Sequence, residues 1–411
     1  MPANISSHNR LLHYGWVIIL AGCLVLFACF GLARYAYAML LPAMQTGLGL
    51  SYDQSGYIGT GNFIGYLLSV LLVPSALRHT TPRIAVTGGL LVISLALLAI
   101  SRCTAFWQVF CLYTLAGSGG GFANIPLMQL ITYWFQRSHR GRALGLTLGG
   151  NGAGIALAGV LIPLLNQAYG IEGWRTGWLV LGLICLLVTL IAGLLLRNSP
   201  SELGLEPIGT AGTCCAWQLE HRSRADDAGL LLRLGLVYLA FGATFMIYGT
   251  FMVTTMVREY SMTEAAAGAY WSWVGLFSLF SGVLFGGISD RIGRKNGLAL
   301  VFLVQTAAYL LVGLQLGGGW LVASIVFYGL AVFAIPAIMA AAVADYLGLA
   351  RAAAAFSTVT LFFAVGQSAG PALAGVLARM SGSFSPAYLL AAGLTTLACL
   401  CALTLPKPSA D

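Results

Sequence analysis

Charge is what this chain has least of. Only 8% of its 411 residues are Asp, Glu, Lys or Arg, against 59% hydrophobic, and the mean hydropathy is +0.88. Soluble domains carry about 25% charged residues, so a soluble protein with an enlarged core is excluded. The short alternating segments of a membrane β-barrel are missing too. Five histidines and nine cysteines include no pair with zinc-site spacing, and most of the cysteines lie inside apolar runs. They read as reduced packing residues. No cofactor or metal is expected. Without an internal acid/base pair or a nucleophile beside a base, the chain does not read as an enzyme. The first apolar stretch is too long for a cleavable signal core and is expected to persist as a helix.

What is abundant is apolar sequence, in runs of about 20 residues that each suffice to cross a bilayer core of roughly 30 Å. The expectation is an all-α membrane protein. Breaks at charges, prolines and glycine clusters predict twelve transmembrane helices, over 14–41, 52–76, 83–101, 104–135, 142–168, 174–196, 229–257, 263–288, 296–315, 318–346, 351–378 and 385–405. Residues 1–13 form an N-terminal tail, 14–197 a first six-helix bundle, 198–228 a polar linker, 229–406 a second bundle and 407–411 a C-terminal tail. Placing the N-terminus inside puts 15 of the 20 basic residues on the cytoplasmic side. Four (Arg102, Arg175, Arg258 and Arg379) fall outside, and Arg34 lies within the membrane. The positive-inside rule then predicts cytoplasmic termini in a plasma (inner) membrane. This one-sided distribution accounts for the net charge of +8, so no nucleic-acid partner is expected.

The halves match weakly. A shift of 211 positions lays Phe30-Gly31 on Phe241-Gly242 and Tyr37 on Tyr248, and a shift of 210 lays Gly65 on Gly275. Such internal repeats are a mark of transporters, whose substrate site lies between the halves near the midplane.

Arg34 interrupts the apolar run FGLARYAYAMLLP. A central arginine costs about 2.5–3.5 kcal/mol on insertion scales. Snorkelling to the interface would relieve that cost, since Arg34 lies roughly 9 Å past the middle of the first expected helix. An aqueous cavity is the better account, because the helix continues through Tyr35 to Leu41 before Pro42, the first plain stop. All twelve carboxylates belong to helix ends, loops or tails, so none is placed to neutralise Arg34. A guanidinium without an internal counter-ion suits a carboxylate ligand. The expected substrate is a small organic anion, most simply a monocarboxylate, since one cation balances one charge. Phe27, Gly31, Arg34 and Tyr37 share a helical face, and Asn62, Tyr66, Asn124, Asn151, Tyr248, Trp273, Tyr328 and Gln367 are candidate lining groups from polarity and depth. No buried acid or histidine offers a proton site, so proton symport through the substrate's own carboxyl and anion exchange both stand. An exporter of amphipathic compounds, with a structural Arg34, is the rival expectation. A monomer is expected to suffice, with the lipid bilayer, the anion and a co-transported proton as partners.

GGISDRIGRK, residues 286–295, resembles the loop signature of the major facilitator superfamily. That resemblance implies the two-bundle major facilitator fold and alternating access. It also implies a cytoplasmic gate, with Asp290, Arg291 and Arg294 in the loop and Asp345 as partner of Arg294. The corresponding first-half loop, SALRHTTPRI, has His79 in place of the aspartate and Pro82 in place of a glycine, which puts a symmetric latch in doubt. WFQRSHRGRALGLTLGGNGAG (134–154) and RNSPSELGLEPIG (197–209) are similar to the helix-four to helix-five junction and the opening of the central linker in monocarboxylate and oxalate/formate transporters. That branch implies a cation in this part of helix one, as here. It also implies a second cation in helix eight or eleven; here helix eight runs AYWSWVGLFSLFSGVLF without one, and helix eleven has Gln367 instead. The glycine runs 117–122, 141–149 and 366–370 are expected to be helix-packing surfaces.

Overall fold

The computed structural model describes residues 13–209, 224–347 and 349–406; both tails beyond these and the middle of the linker, with Cys214 and Cys215, lie outside the described residues. Helices stand at all twelve expected places. They are α1 (Gly15–Leu26) with α2 (Ala36–Leu48), α3 (Tyr52–Ala76), α4 (Pro82–Ile100), α5 (Phe106–Trp134), α6 (Arg137–Tyr169) and α7 (Gly173–Leu195). After the linker come α8 (Arg224–Arg258), α9 (Glu264–Ile292), α10 (Arg294–Gly313), α11 (Gly318–Ala331) with α12 (Ala334–Leu347), α13 (Leu349–Ser381) and α14 (Ser385–Leu403). Among the described residues ten stretches can cross a membrane by length and composition, one of which, His139–Leu195, holds two helices; α5 is not among them.

Local chemistry sets the boundaries. Ser51 opens α3, its amide accepted by Gln54 Oε1 at 3.1 Å, in a reciprocal capping box. Thr81 caps α4 ahead of Pro82, and the Thr263 hydroxyl accepts from the Ala266 amide at 3.3 Å to start α9. The expected stop at Pro42 fails: the helix runs on to Leu48 and ends at Gly49, whose φ of +63° suits glycine. Membrane helices tolerate proline where neighbouring groups satisfy the freed carbonyl. The extension brings Arg34 within about 4 Å of the middle of the Gly15–Leu48 span, at 1.5 Å per residue. The expected helix 318–346 is broken at Val332–Phe333, where the Phe333 amide donates to Ser281 Oγ at 3.0 Å.

Helices α1–α7 and α8–α14 form the two halves. They pack together mainly through α3 on α13, α6 on α9 and α2 on α8. The contact is backbone-close toward the end of the molecule that carries Asp53. A Cβ on Gly56 would meet the Pro371 carbonyl oxygen at 2.3 Å, and one on Gly268 would meet that of Gly159 at 2.2 Å. There Arg379 pairs with Asp53 at 2.8 Å, and Asn166 donates to Glu264 at 2.6 Å. Toward the Arg294 end, Gly141, Gly145, Gly286 and Gly287 have open space beside them. Of the expected 141–145–149 repeat on α6, Gly149 alone has a neighbour, Leu279 of α9, 3.7 Å from where its Cβ would stand. Gly150 and Gly154 meet the first helix, while Gly152 and Gly159 meet α9.

The repeat is real at the Phe30-Gly31 match. Gly31 packs on α6, and its counterpart Gly242 packs on α13, the same position one half later. Gly65 packs on α5 whereas Gly275 packs on α6, so their alignment is not a structural equivalence. The start of the linker lies on the first half. Ile208 exchanges backbone bonds with Trp134 and Gln136, each 2.9 Å, and the Trp134 indole donates to the Arg197 carbonyl at 2.9 Å.

Candidate functional site

The first helix changes winding as it reaches Arg34. Phe27–Leu32 is π-helical, and a turn through Ala33–Tyr35 precedes α2. The amides of Ala33 and Tyr35 reach back five residues, to Ala28 and Phe30, at 2.9 and 3.0 Å. Glycine makes the bulge possible here. A Cβ on Gly31 would stand 2.6 Å from the Gly154 Cα, so the widened turn lies backbone against backbone on α6. The bulge also shifts the register by one residue, which moves Phe27 away from the face it was expected to share with Arg34. The Phe27 backbone packs instead against Gly150 and Gly154, and Phe30 takes its place beside the cation.

From Gly31 to Pro42 every residue is buried except Arg34. Its Nε donates to Asn62 Oδ1 at 3.2 Å, and its Cζ lies 4.4, 5.0 and 4.9 Å from the ring centres of Phe30, Phe63 and Tyr66. Cation–π contacts contribute about 0.5–2 kcal/mol each, so three of them with one charge-assisted bond offset the insertion cost. Nη2 is buried without a partner. The guanidinium does not snorkel; it stays among side chains of the π-helical segment and α3. A cavity of about 10 Å³, room for roughly one water, adjoins it between the halves. Tyr37, Gly59, Asn62, Phe63 and Tyr113 line it from the first half, and Met246, Gly249 and Thr250 from the second.

Of the residues expected at the site, Asn62, Tyr66 and Tyr37 gather around Arg34. Asn124 stands one step farther, its amide on the Tyr66 hydroxyl at 3.2 Å. Asn151 is buried with an unpartnered Oδ1, and Gln367 is buried with neither amide atom paired; no contact joins either to Arg34 among the described residues. Tyr248 and Tyr328 stack on each other at 4.0 Å inside the second half, their hydroxyls bonded to Ser324 and to the Phe245 carbonyl. Trp273 lies 42% exposed on the α9 face it shares with Leu276, Phe280 and Val283, turned away from Arg34. On the second half, Gly249 and Thr250, just past Tyr248, line the cavity in its place.

Sequence reading missed Tyr113. Its hydroxyl reaches the carbonyls of Ala33 and Arg34 at 3.1 and 3.0 Å, and its own carbonyl accepts from Asn62 Nδ2 at 3.1 Å. Nothing in CLYTLAG marks that tyrosine; only the crossing of α5 over the helix break does. Phe30, one turn before Arg34, was legible by spacing.

At the other end of the molecule, GGISDRIGRK turns α9 into α10 through Gly293, whose φ is +91°. Arg294 holds the partner expected for it, Asp345, through Nε at 2.6 Å, and it also pairs with Asp290 of the same loop. Arg291 is exposed. Helices α9, α10 and α12 all belong to the second half, so this network braces one bundle and does not bridge two. In the degenerate first-half loop, Arg83 has no such acid and donates to the Gly193 carbonyl at 3.1 Å. Among the described residues, the ion pair that bridges the halves is Asp53 with Arg379, at the opposite end. Among the described residues no group of His, Cys, Asp and Glu can hold a metal ion.

Comparison with known proteins agrees with this architecture. Among curated relatives, a hexuronate transporter of Bacillus subtilis is 23% identical over 395 residues, covering 92% of this chain and 91% of the relative. Monocarboxylate transporter 12 of Rattus norvegicus is 22% identical over 411 residues, covering 92% and 82%. Among solved structures, an inward-facing, unoccupied bacterial homologue of the lysosomal transporter Spinster superposes with a TM-score of 0.74 at 15% identity, covering 97% of this chain and 100% of that one. A D-xylose–proton symporter gives 0.74 at 17% identity, covering 97% and 99%. These structures share the fold. The family described as "Uncharacterised MFS-type transporter YbfB" matches residues 26–403, and the chain belongs to it: this is a membrane transporter of the MFS type, not an enzyme.

Proposed function

We propose that the protein is a secondary transporter of a small organic anion, most simply a monocarboxylate, and that Arg34 takes the carboxylate. One observation carries the reading. In a stretch of twelve residues only Arg34 is not fully buried; its Nη2 is buried without a partner, and no carboxylate pairs with it among the described residues. A ligand carboxylate supplies the missing charge and acceptors. The relatives named for hexuronate and monocarboxylate, both carboxylate anions, are consistent with it.

The packing supports alternating access. The halves touch closely at the Asp53 end, and toward the Arg294 end Gly141 and Gly145 of α6 and Gly286 and Gly287 of α9 have open space beside them. On the reading that the termini are cytoplasmic, which the distribution of basic residues supports, this packing fits a state closed to the outside of the plasma membrane and open to the cytoplasm. Transport then needs the Asp53–Arg379 and Asn166–Glu264 contacts to break as the Arg294 end closes. Coupling is by proton symport or by anion exchange.

The three rings around Arg34 are what favours the rival, an amphipathic-compound exporter in which the cation is structural. A thermal-shift screen of small carboxylates on purified protein, followed by uptake of a labelled hit into proteoliposomes with and without a pH gradient, separates the two. Carboxylate uptake that Arg34→Ala abolishes supports the proposal. Efflux that ignores Arg34→Ala supports the exporter.

A further inference from the structure

The bonds around Arg34 close into a ring. Arg34 Nε donates to Asn62 Oδ1, Asn62 Nδ2 donates to the Tyr113 carbonyl, and the Tyr113 hydroxyl returns to the carbonyls of Ala33 and Arg34. Each member constrains the next. The Tyr113 carbonyl accepts only a donor, so it turns the Asn62 amide with its oxygen toward the cation. The hydroxyl meets the backbone where the π-helical turn has ended and α2 has not begun, the place where the chain is least held by its own ladder. Tyr113 is itself fixed, 1% exposed between the rings of Tyr37 at 5.0 Å and Trp178 at 5.8 Å.

This arrangement decides which edge of the guanidinium a ligand can use. A carboxylate can lie on the side edge, Nε with Nη2, or on the end, Nη1 with Nη2. Asn62 occupies Nε and so closes the side edge, while Nη2 is left without a partner. We propose that Tyr113 is a positioning residue for the anion site. It holds the backbone of Arg34 through its hydroxyl and Asn62 through its carbonyl, so that the guanidinium keeps its end edge free of protein partners for a ligand, with Nη2 buried in this state. This rests on the organic-anion reading above.

The test compares arginine with lysine at position 34, with and without the Tyr113 hydroxyl. Wild type, Tyr113→Phe, Arg34→Lys, the double variant and Arg34→Ala are purified as full-length protein. Equilibrium binding of acetate, pyruvate, benzoate and phenylacetate is measured, with the unliganded thermal midpoint as a control for folding. Tyr113→Phe keeps the ring, its packing and the bond from Asn62, and removes only the hydroxyl. The expected result is about five- to tenfold weaker carboxylate binding in Tyr113→Phe, with a midpoint near that of wild type. Replacing Arg34 by lysine, expected to weaken wild-type binding about tenfold, should cost the Tyr113→Phe protein no more than about threefold, because its fork is already unaligned. A merely structural tyrosine would weaken both backgrounds alike and leave that ratio unmoved. Wild-type affinity in Tyr113→Phe, or an undiminished lysine penalty in its background, overturns the inference while Arg34→Ala still fails to bind. If no carboxylate binds wild type, or Arg34→Ala binds equally well, the organic-anion reading falls and this inference with it.

Discussion

Replacing Arg34 by alanine removes a charge, a fork and the centre of a three-ring cluster, and the structure separates what each is worth. A carboxylate on Nη1 and Nη2 makes two charge-assisted bonds, at about 1.5–3 kcal/mol each. Losing both costs about 3–6 kcal/mol, so binding should fall by at least about 10²-fold. Stability should respond far less. The bond to Asn62 and the contacts with Phe30, Phe63 and Tyr66 are lost. Against that, about 2.5–3.5 kcal/mol of insertion cost is also removed. These amounts offset to within a few kcal/mol, so the variant should fold, insert and melt near wild type while failing to carry the anion. Uptake in proteoliposomes reports transport, and the thermal midpoint of the same preparation reports folding. Arg34→Lys should fall between, keeping the charge and losing the planar fork. Uptake by Arg34→Ala equal to that of wild type refutes the assignment, and a collapsed midpoint with no folded protein refutes the claimed offset.

Three more outcomes follow from the packing. Asp53→Asn weakens a pair whose arginine is two-thirds exposed, worth about 0.2–1 kcal/mol. An impermeant maleimide should therefore label a cysteine placed at Ser368, between the halves, about 1.4- to 5-fold faster. Gly154→Ala puts a Cβ within 2.5 Å of the Gly31 Cα and should destabilise the fold by about 1–3 kcal/mol. Gly145→Ala, which meets open space, should leave the midpoint unchanged. Arg294→Ala and Asp345→Ala share one network, so a double-mutant cycle on stability should show a coupling of at least about 0.5 kcal/mol. Neither should alter labelling at Ser368→Cys, because the network lies within one half.

The chain itself determined the solvent it folds in. Low charge and repeated 20-residue apolar runs leave a bundle of membrane helices as the stable answer, since every backbone group must be satisfied within the lipid. The expected starts at 52, 83 and 263 lie within a residue of those observed, where Ser51, Thr81 and Thr263 cap the helices, because such boundaries are set locally. Arg34 and the Arg294–Asp345 pair were also legible, the first as a charge without a partner and the second through a motif. What depends on distant segments was not legible. Pro42 reads as a stop, yet the helix passes it; Trp273 reads as a lining group, yet its face turns outward. The π-helical turn needs Gly154, more than 100 positions away, to make room for it, and it changes which aromatic meets the cation. Tyr113 reaches Arg34 only because α5 crosses the break, and Asp53 finds Arg379 only because α3 lies on α13. Periodicity and capping are properties of a few consecutive residues, whereas an edge of a guanidinium is set by contacts that only the folded bundle brings together.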